Sequence, residues 1–134
     1  MKISIELPTW LGDTIMVSPA IENLINHCID SDITLIGSDI AIEAMKNHPK
    51  VTKTYVLKKN YISLYRTIFN LDEFDIFVSF RGSIRSKFIK FCISARIKYQ
   101  FDKKKYNQGH QVEKYNNFVN DSFNINSIPS RSLS

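Results

Sequence analysis

The stretch DIFVSFRGSIRSKFIKFC, residues 75–92, runs from a strand through a turn into a helix. Asp75 to Phe80 is dense in β-formers, as a central strand buried on both sides should be. Gly82 punctuates the chain. Ile84, Phe88, Phe91 and Ala95 then recur at the spacing of one helix face. Moving outward, the same alternation repeats. Ile3 to Leu7 reads as a first strand, Ile33 to Ile36 as a second, Thr54 to Leu57 as a third, and Ile97 to Phe101 as a fifth. Between them, Val17, Ile21, Leu24 and Cys28 share one helix face. Ser38 can cap a short helix through Met45, stopped by Pro49, and Tyr61, Leu64, Tyr65 and Ile68 form another helical face. Val112, Tyr115, Phe118 and Val119 mark a last helix. Pro19 leaves two readings of the first helix. Either it starts there, with Ser18 as cap, or it kinks. Strands each followed by a helix predict an α/β fold, an open parallel sheet with helices on both faces. Residues 1–126 form that domain, with no clear sixth strand. Residues 127–134 read as a frayed tail or the start of a linker.

Composition agrees with one folded domain. The chain has 134 residues, 43% apolar and 23% charged, which excludes a disordered tail. Cys28 and Cys92 lie far apart without a CxxC pair or a zinc spacing, and read as reduced, buried thiols, with a disulfide as the alternative. No metal site is expected. Glu6 and Pro8 interrupt the opening apolar run too early for a signal peptide, and nothing approaches a membrane span. A cytoplasmic protein is expected, compatible with contact at a membrane surface.

The net charge of +5 is unevenly spread. Between Arg81 and Lys114 there are ten bases and two acids, a net +8, so the rest is slightly acidic. This suits an anionic partner. Nucleic acid ranks low, because the aromatics there sit at core periodicities and are not interleaved on an exposed face. Lys103, Lys104 and Lys105 fit an anion-binding loop or a solvated turn.

In open α/β sheets, ligands bind outside the carboxyl ends of the strands. Two loops there are unusual. The first is Thr9-Trp10-Leu11-Gly12-Asp13. Gly12 admits close approach, and Asp13 sets a carboxylate at a helix start, as a cap, a base or both. Trp10 is either a packed anchor or the wall of a sugar site. Neither G-x-G-x-x-G nor a P-loop is present. The second loop holds Arg81, Gly82, Ser83, Arg85, Ser86 and Lys87. Cations at a helix N-terminus oppose its dipole, so helix stability alone explains them poorly; backbone N–H groups plus guanidinium forks make an anion site. A solvated basic face is the plainer reading. His110, just ahead of Glu113 and Lys114, opens the last helix as a cap, a packed residue or a catalyst. His27 and His48 receive no role.

Three blocks carry a resemblance. Residues 1–24, MKISIELPTWLGDTIMVSPAIENL, with their Leu11-Gly12-Asp13, resemble the start of the ADP-heptose:lipopolysaccharide heptosyltransferases, glycosyltransferase family 9, above all the type adding the second heptose. Residues 74–86 resemble that family's strand followed by Gly and Ser. His110-Gln111-Val112-Glu113-Lys114-Tyr115 is similar to its His-x-Val-Glu-Arg-Tyr helix start. The resemblance implies the N-terminal, Rossmann-like, acceptor-binding half of a two-domain GT-B enzyme. It implies Asp13 as general base, with Thr9, Trp10, Gly12, Arg81, Gly82, Ser83, Arg85, Ser86, Lys87, His110 and Lys114 around the substrate. It further implies ADP-heptose as donor without a cofactor, and an anionic lipopolysaccharide core acceptor. It places the protein in the cytoplasm, in contact with the inner face of the inner membrane. The C-terminal nucleotide-sugar half is missing, so little or no turnover is expected of the chain alone. A non-catalytic module holding anionic glycolipid is the alternative.

Overall fold

The computed structural model describes residues 1–28, 30–57, 60–71, 73–101 and 111–123. Ten elements alternate: β1 (Lys2–Glu6), α1 (Leu11–His27), β2 (Asp32–Gly37), α2 (Asp39–Met45), β3 (Val51–Val56), α3 (Tyr61–Phe69), β4 (Phe74–Ser79), α4 (Ile84–Cys92), β5 (Ala95–Gln100) and α5 (Gln111–Phe123). The five strands form one sheet, every neighbouring pair parallel, in the order β3-β2-β1-β4-β5. The chain winds outward from β1 to β3, then returns to place β4 on the other side of β1. The direction of winding therefore reverses between β1 and β4, the switch point where such sheets bind ligands.

Two apolar layers cover the sheet. On one face Ile3, Ile5, Leu7, Ile33, Leu35 and Val78 pack under helices α1, α2 and α5. On the other, Ile36, Phe74 and Phe77 pack under Leu64 and Ile68 of α3 and Ile89 of α4. The strands that carry this burial are the β-branched and aromatic runs of the sequence.

Local chemistry accounts for where the helices depart from expectation. α1 neither begins at Pro19 nor is capped by Ser18; it starts at Leu11 and runs through the proline. Pro19 has no N–H to bond the carbonyl of Ile15, and the Ser18 hydroxyl donates to that carbonyl instead, at 2.7 Å. Ser38 caps α2, its Oγ accepting the N–H of Ala41. α4 ends at Cys92, so Ala95 opens β5. Its packed side is Ser86 and Ile89, with Phe88 of the predicted face partly buried against the same core, whereas Ile84 and Phe91 of that face point outward, 82% and 84% exposed. Cys28 and Cys92 are free, partly buried thiols against opposite faces of the sheet, and burial raises both pKa values. The expected tail, residues 127–134, lies outside the described residues.

Phe77 is fully buried in a strand with neighbours on both sides. Phe77→Ala is expected to cost about 3–5 kcal/mol in urea unfolding, through lost transfer energy and the cavity left behind. A loss below about 1 kcal/mol would show that this layer is not packed as described.

Candidate functional site: a cleft at the switch point

At the carboxyl end of β1 the chain turns sharply through Leu7 and Pro8. This turn is tied at several points. The N–H of Leu7 donates to Ile36 O at 2.8 Å, and Ser38 Oγ donates to Thr9 O at 2.8 Å. Thr14 Oγ1 donates to Trp10 O at 2.9 Å, closing the first turn of α1 on its own cap residue. Trp10 takes the cap position without a side-chain bond to the helix. Asp13 is therefore not the cap. It stands in the first turn, where its negative charge suits the helix dipole.

The second loop is built by serines. Ser83 caps α4, its Oγ accepting the N–H of Ser86 at 3.2 Å and donating to Ser86 Oγ at 3.0 Å. Arg81 is held by its backbone. Its N–H donates to Ser79 Oγ at 3.2 Å, and its carbonyl accepts from Gln100 Nε2 at 3.2 Å. Gly82 has an internal reason to be glycine, since a Cβ there would meet Phe101 O at 3.1 Å. Gly12 has none; a Cβ there meets nothing within 4 Å.

Beneath both loops lies Glu6, a residue with no expected role. Its side chain is 0% exposed. Ser79 Oγ donates to its Oε1 at 2.6 Å, Ser86 Oγ donates to its Oε2 at 3.1 Å, and Arg81 Nη1 stands 3.8 Å from Oε2. One carboxyl group thus joins β1, the end of β4 and the start of α4. No acid lies in the first turn of α4; the Glu6 carboxyl reaches that turn from the strand, through the Ser86 hydroxyl. Burial raises the Glu6 pKa, opposed by the Ser79 hydrogen bond, the Arg81 charge, the Ser86 hydrogen bond and the Arg85 charge. The period-two pattern of Ile3-Ser4-Ile5-Glu6-Leu7 suggests an outward polar face. It was the central place of β1, covered on both sides, that buried Glu6.

Between the loops opens a cleft of about 760 Å³. From the first loop, Thr9, Trp10 and Asp13 line it; from the second, Arg81, Gly82, Ser83 and Lys87 do, joined by Lys90, Gln100 and Tyr115. Trp10 is 69% exposed on this wall and is not a packed anchor. Asp13 is half-buried, and among the described residues its carboxylate has no hydrogen-bond or ion-pair partner. The other site candidates lie elsewhere. Gly12, Arg85 and Lys114 are not in the lining. Ser86 is fully buried and occupied by Glu6. His110 and Lys103 to Lys105 fall outside the described residues. The lining thus combines three cations, a free carboxylate and an exposed indole, a set that can hold a phosphorylated sugar and accept a proton from it.

Because folding raises the Glu6 pKa above its ordinary value of 4.5, the folded chain holds that proton more tightly than the unfolded one. Stability is then greatest below the unfolded value and is lost as pH rises through the folded one. Glu6→Gln keeps the shape and removes the charge. Its unfolding free energy is expected to fall less than the wild type's as pH rises above the ordinary glutamate value of 4.5, as urea titrations would read. Equal pH dependence of the two proteins would contradict a buried, proton-retaining carboxyl.

Comparison with known proteins follows the same lines. No family model matches the chain. It is 36% identical over 129 residues to lipooligosaccharide heptosyltransferase 2 of Campylobacter jejuni, an alignment covering 93% of this chain and 40% of that protein. Among solved structures, E. coli heptosyltransferase WaaC with ADP superposes with a TM-score of 0.75 at 13% identity, over 98% of this chain and 50% of that one. E. coli ADP-heptose lps heptosyltransferase II superposes with a TM-score of 0.71 at 16% identity, over 89% of this chain and 40% of that one. The sheet and its helices are thus one Rossmann-like half of a GT-B architecture. The chain is thus similar in sequence to curated lipooligosaccharide heptosyltransferases over 93% of its own residues, and it spans about two fifths of the length of those relatives.

Proposed function

We propose that this chain is the acceptor-binding half of a heptosyltransferase that moves heptose from ADP-heptose to the inner core of lipopolysaccharide. The observation that carries the reading is the cleft at the switch point, where the Asp13 carboxylate, without a partner among the described residues, and the cations Arg81, Lys87 and Lys90 share one cavity. The acceptor is lipid-linked and anionic, which sets the reaction at the cytoplasmic face of the inner membrane. Its phosphate or carboxylate groups would sit against Arg81 and Lys87, with Trp10 as an apolar wall for a sugar ring.

In that arrangement Asp13 takes the proton of the acceptor hydroxyl as its oxygen attacks the anomeric carbon of the heptose. The bond from that carbon to ADP breaks, and ADP leaves with the electron pair. The carboxylate lowers the barrier by removing the proton as the new bond forms, and the cations hold the acceptor in line. The donor's nucleotide would be held by a second half, so the chain alone is expected to turn over little or not at all. Gly12 fits the same picture. A glycine in the first turn of α1 costs helix stability, and no neighbour within the chain requires it, which favours close approach of substrate.

The test joins the chain to the second half of a family member. Asp13→Ala is expected to lower turnover by about 10²- to 10⁴-fold while acceptor binding stays largely intact. Gly12→Ala is expected to raise the unfolding free energy by about 0.5–1 kcal/mol and still impair transfer. Normal turnover of Asp13→Ala would remove the carboxylate from the mechanism. Binding without transfer in the joined wild type would favour a glycolipid-holding module.

A further inference from the structure

The two helical layers are opposite in character. Helices α1, α2 and α5 carry six acids, Asp13, Glu22, Asp39, Glu43, Glu113 and Asp121, and a single lysine, Lys114. Helices α3 and α4, which cover the other face together, carry Arg66, Arg85, Lys87 and Lys90 and no acid. The same two helices turn large apolar groups outward. Ile62 is 65% exposed and Phe69 68%, with Tyr65 stacked on Phe69 at 5.6 Å between ring centroids. Ile84 and Phe91 are the most exposed large apolar side chains of α4. Single exposed apolar residues are ordinary; five on two adjacent helices are not.

We infer that the outer face of α3 and α4 docks on an anionic phospholipid bilayer. Exposed aromatic and aliphatic groups on helices whose charged residues are all Lys and Arg are the composition of a surface that seats in lipid headgroups. The acidic layer on the far side of the sheet would turn away from the same bilayer, so the charge distribution orients the molecule as well as attracting it. A second copy is a poor occupant, since pairing this face with itself opposes cation to cation. α4 borders both features. Ile84 and Phe91 face outward while Lys87 and Lys90 line the cleft. Docking along α4 therefore brings the cleft to the level of the headgroups, where a lipid-linked acceptor presents its anionic groups. The inference rests on the transfer reading for that setting, but its test needs neither donor nor acceptor.

The chain is to be co-sedimented with vesicles of neutral phosphatidylcholine and with vesicles containing one part in three phosphatidylglycerol. Binding is expected on the anionic vesicles, weaker by about tenfold or more on the neutral ones, and weakened by salt. The double variant Phe69→Ser, Phe91→Ser is expected to lose about tenfold or more of that binding with its thermal unfolding unchanged, because both rings are exposed. Ile40→Ser, an exposed apolar residue on α2 of the acidic layer, serves as the control and is expected to bind as wild type. Undiminished binding of the double variant, or an equal loss in Ile40→Ser, would overturn the assignment of the face. Self-association on sedimentation without vesicle binding would assign the face to a second copy and overturn it likewise. Lost vesicle binding with intact acceptor binding in the cleft would remove the lipid face and leave the transfer reading standing.

Discussion

Glu6 puts a carboxyl group at the centre of a parallel sheet, where an unsatisfied charge would cost several kcal/mol. The fold satisfies it with two serine hydroxyls, one from β4 and one from α4, and sets an arginine beside it. Those partners belong to the loop that faces the cleft. The backbone N–H of Arg81 hangs from Ser79, and the cap of α4 runs through Ser83 to Ser86, so both of these supports lead back to the same carboxyl, while Gln100 holds the Arg81 carbonyl separately. A hydrophobic residue at this position would pack as well against the sheet but would leave Ser79 and Ser86 without their acceptor. The polar core is thus the foundation of the cationic loop and follows from β1 and β4 lying side by side at the switch point.

Sequence patterning made the architecture legible because each element announces itself locally. The β-branched run of β2, the aromatic run of β4 and the Ser38 cap needed no tertiary information. The same holds for the two loops at the strand ends, whose Gly12-Asp13 and Arg81-Gly82-Ser83 groups stand out against their surroundings. What periodicity could not supply was which side of a feature faces inward. Ile84 and Phe91 share helical spacing with Phe88, yet α4 packs through Ser86 and Ile89, because Ser86 is drawn inward by Glu6. Ser86 itself reads from sequence as a hydroxyl available to a ligand and is instead a structural partner. The signal that could have found Glu6 was its place in the first strand of a doubly wound sheet, which lies at the centre and is covered on both faces.

The two faces of the sheet carry helical layers of opposite charge. The acidic layer of α1, α2 and α5 packs one side of the sheet, the basic and apolar layer of α3 and α4 packs the other, and the cleft opens at the edge between α1 and α4. Charge excess in the second half of the sequence is therefore spatial as well as linear. It runs from the cleft wall onto α4, so that on the proposed reading one cationic surface would serve both an anionic sugar and the bilayer that carries it. The relatives are more than twice as long as this chain. Three cations and a carboxylate line its cleft.

The central claim is that the cleft between Asp13 and Arg81 receives a phosphorylated sugar. Titration of the chain with a phosphorylated inner-core oligosaccharide, followed residue by residue by NMR, tests it most directly. The account predicts shifts gathered at residues 9–13 and 81–87, saturable and weakened by added salt. Silence at those residues, or shifts gathered instead around Lys2, Asp75 and Arg96 at the opposite end of the sheet, would contradict it.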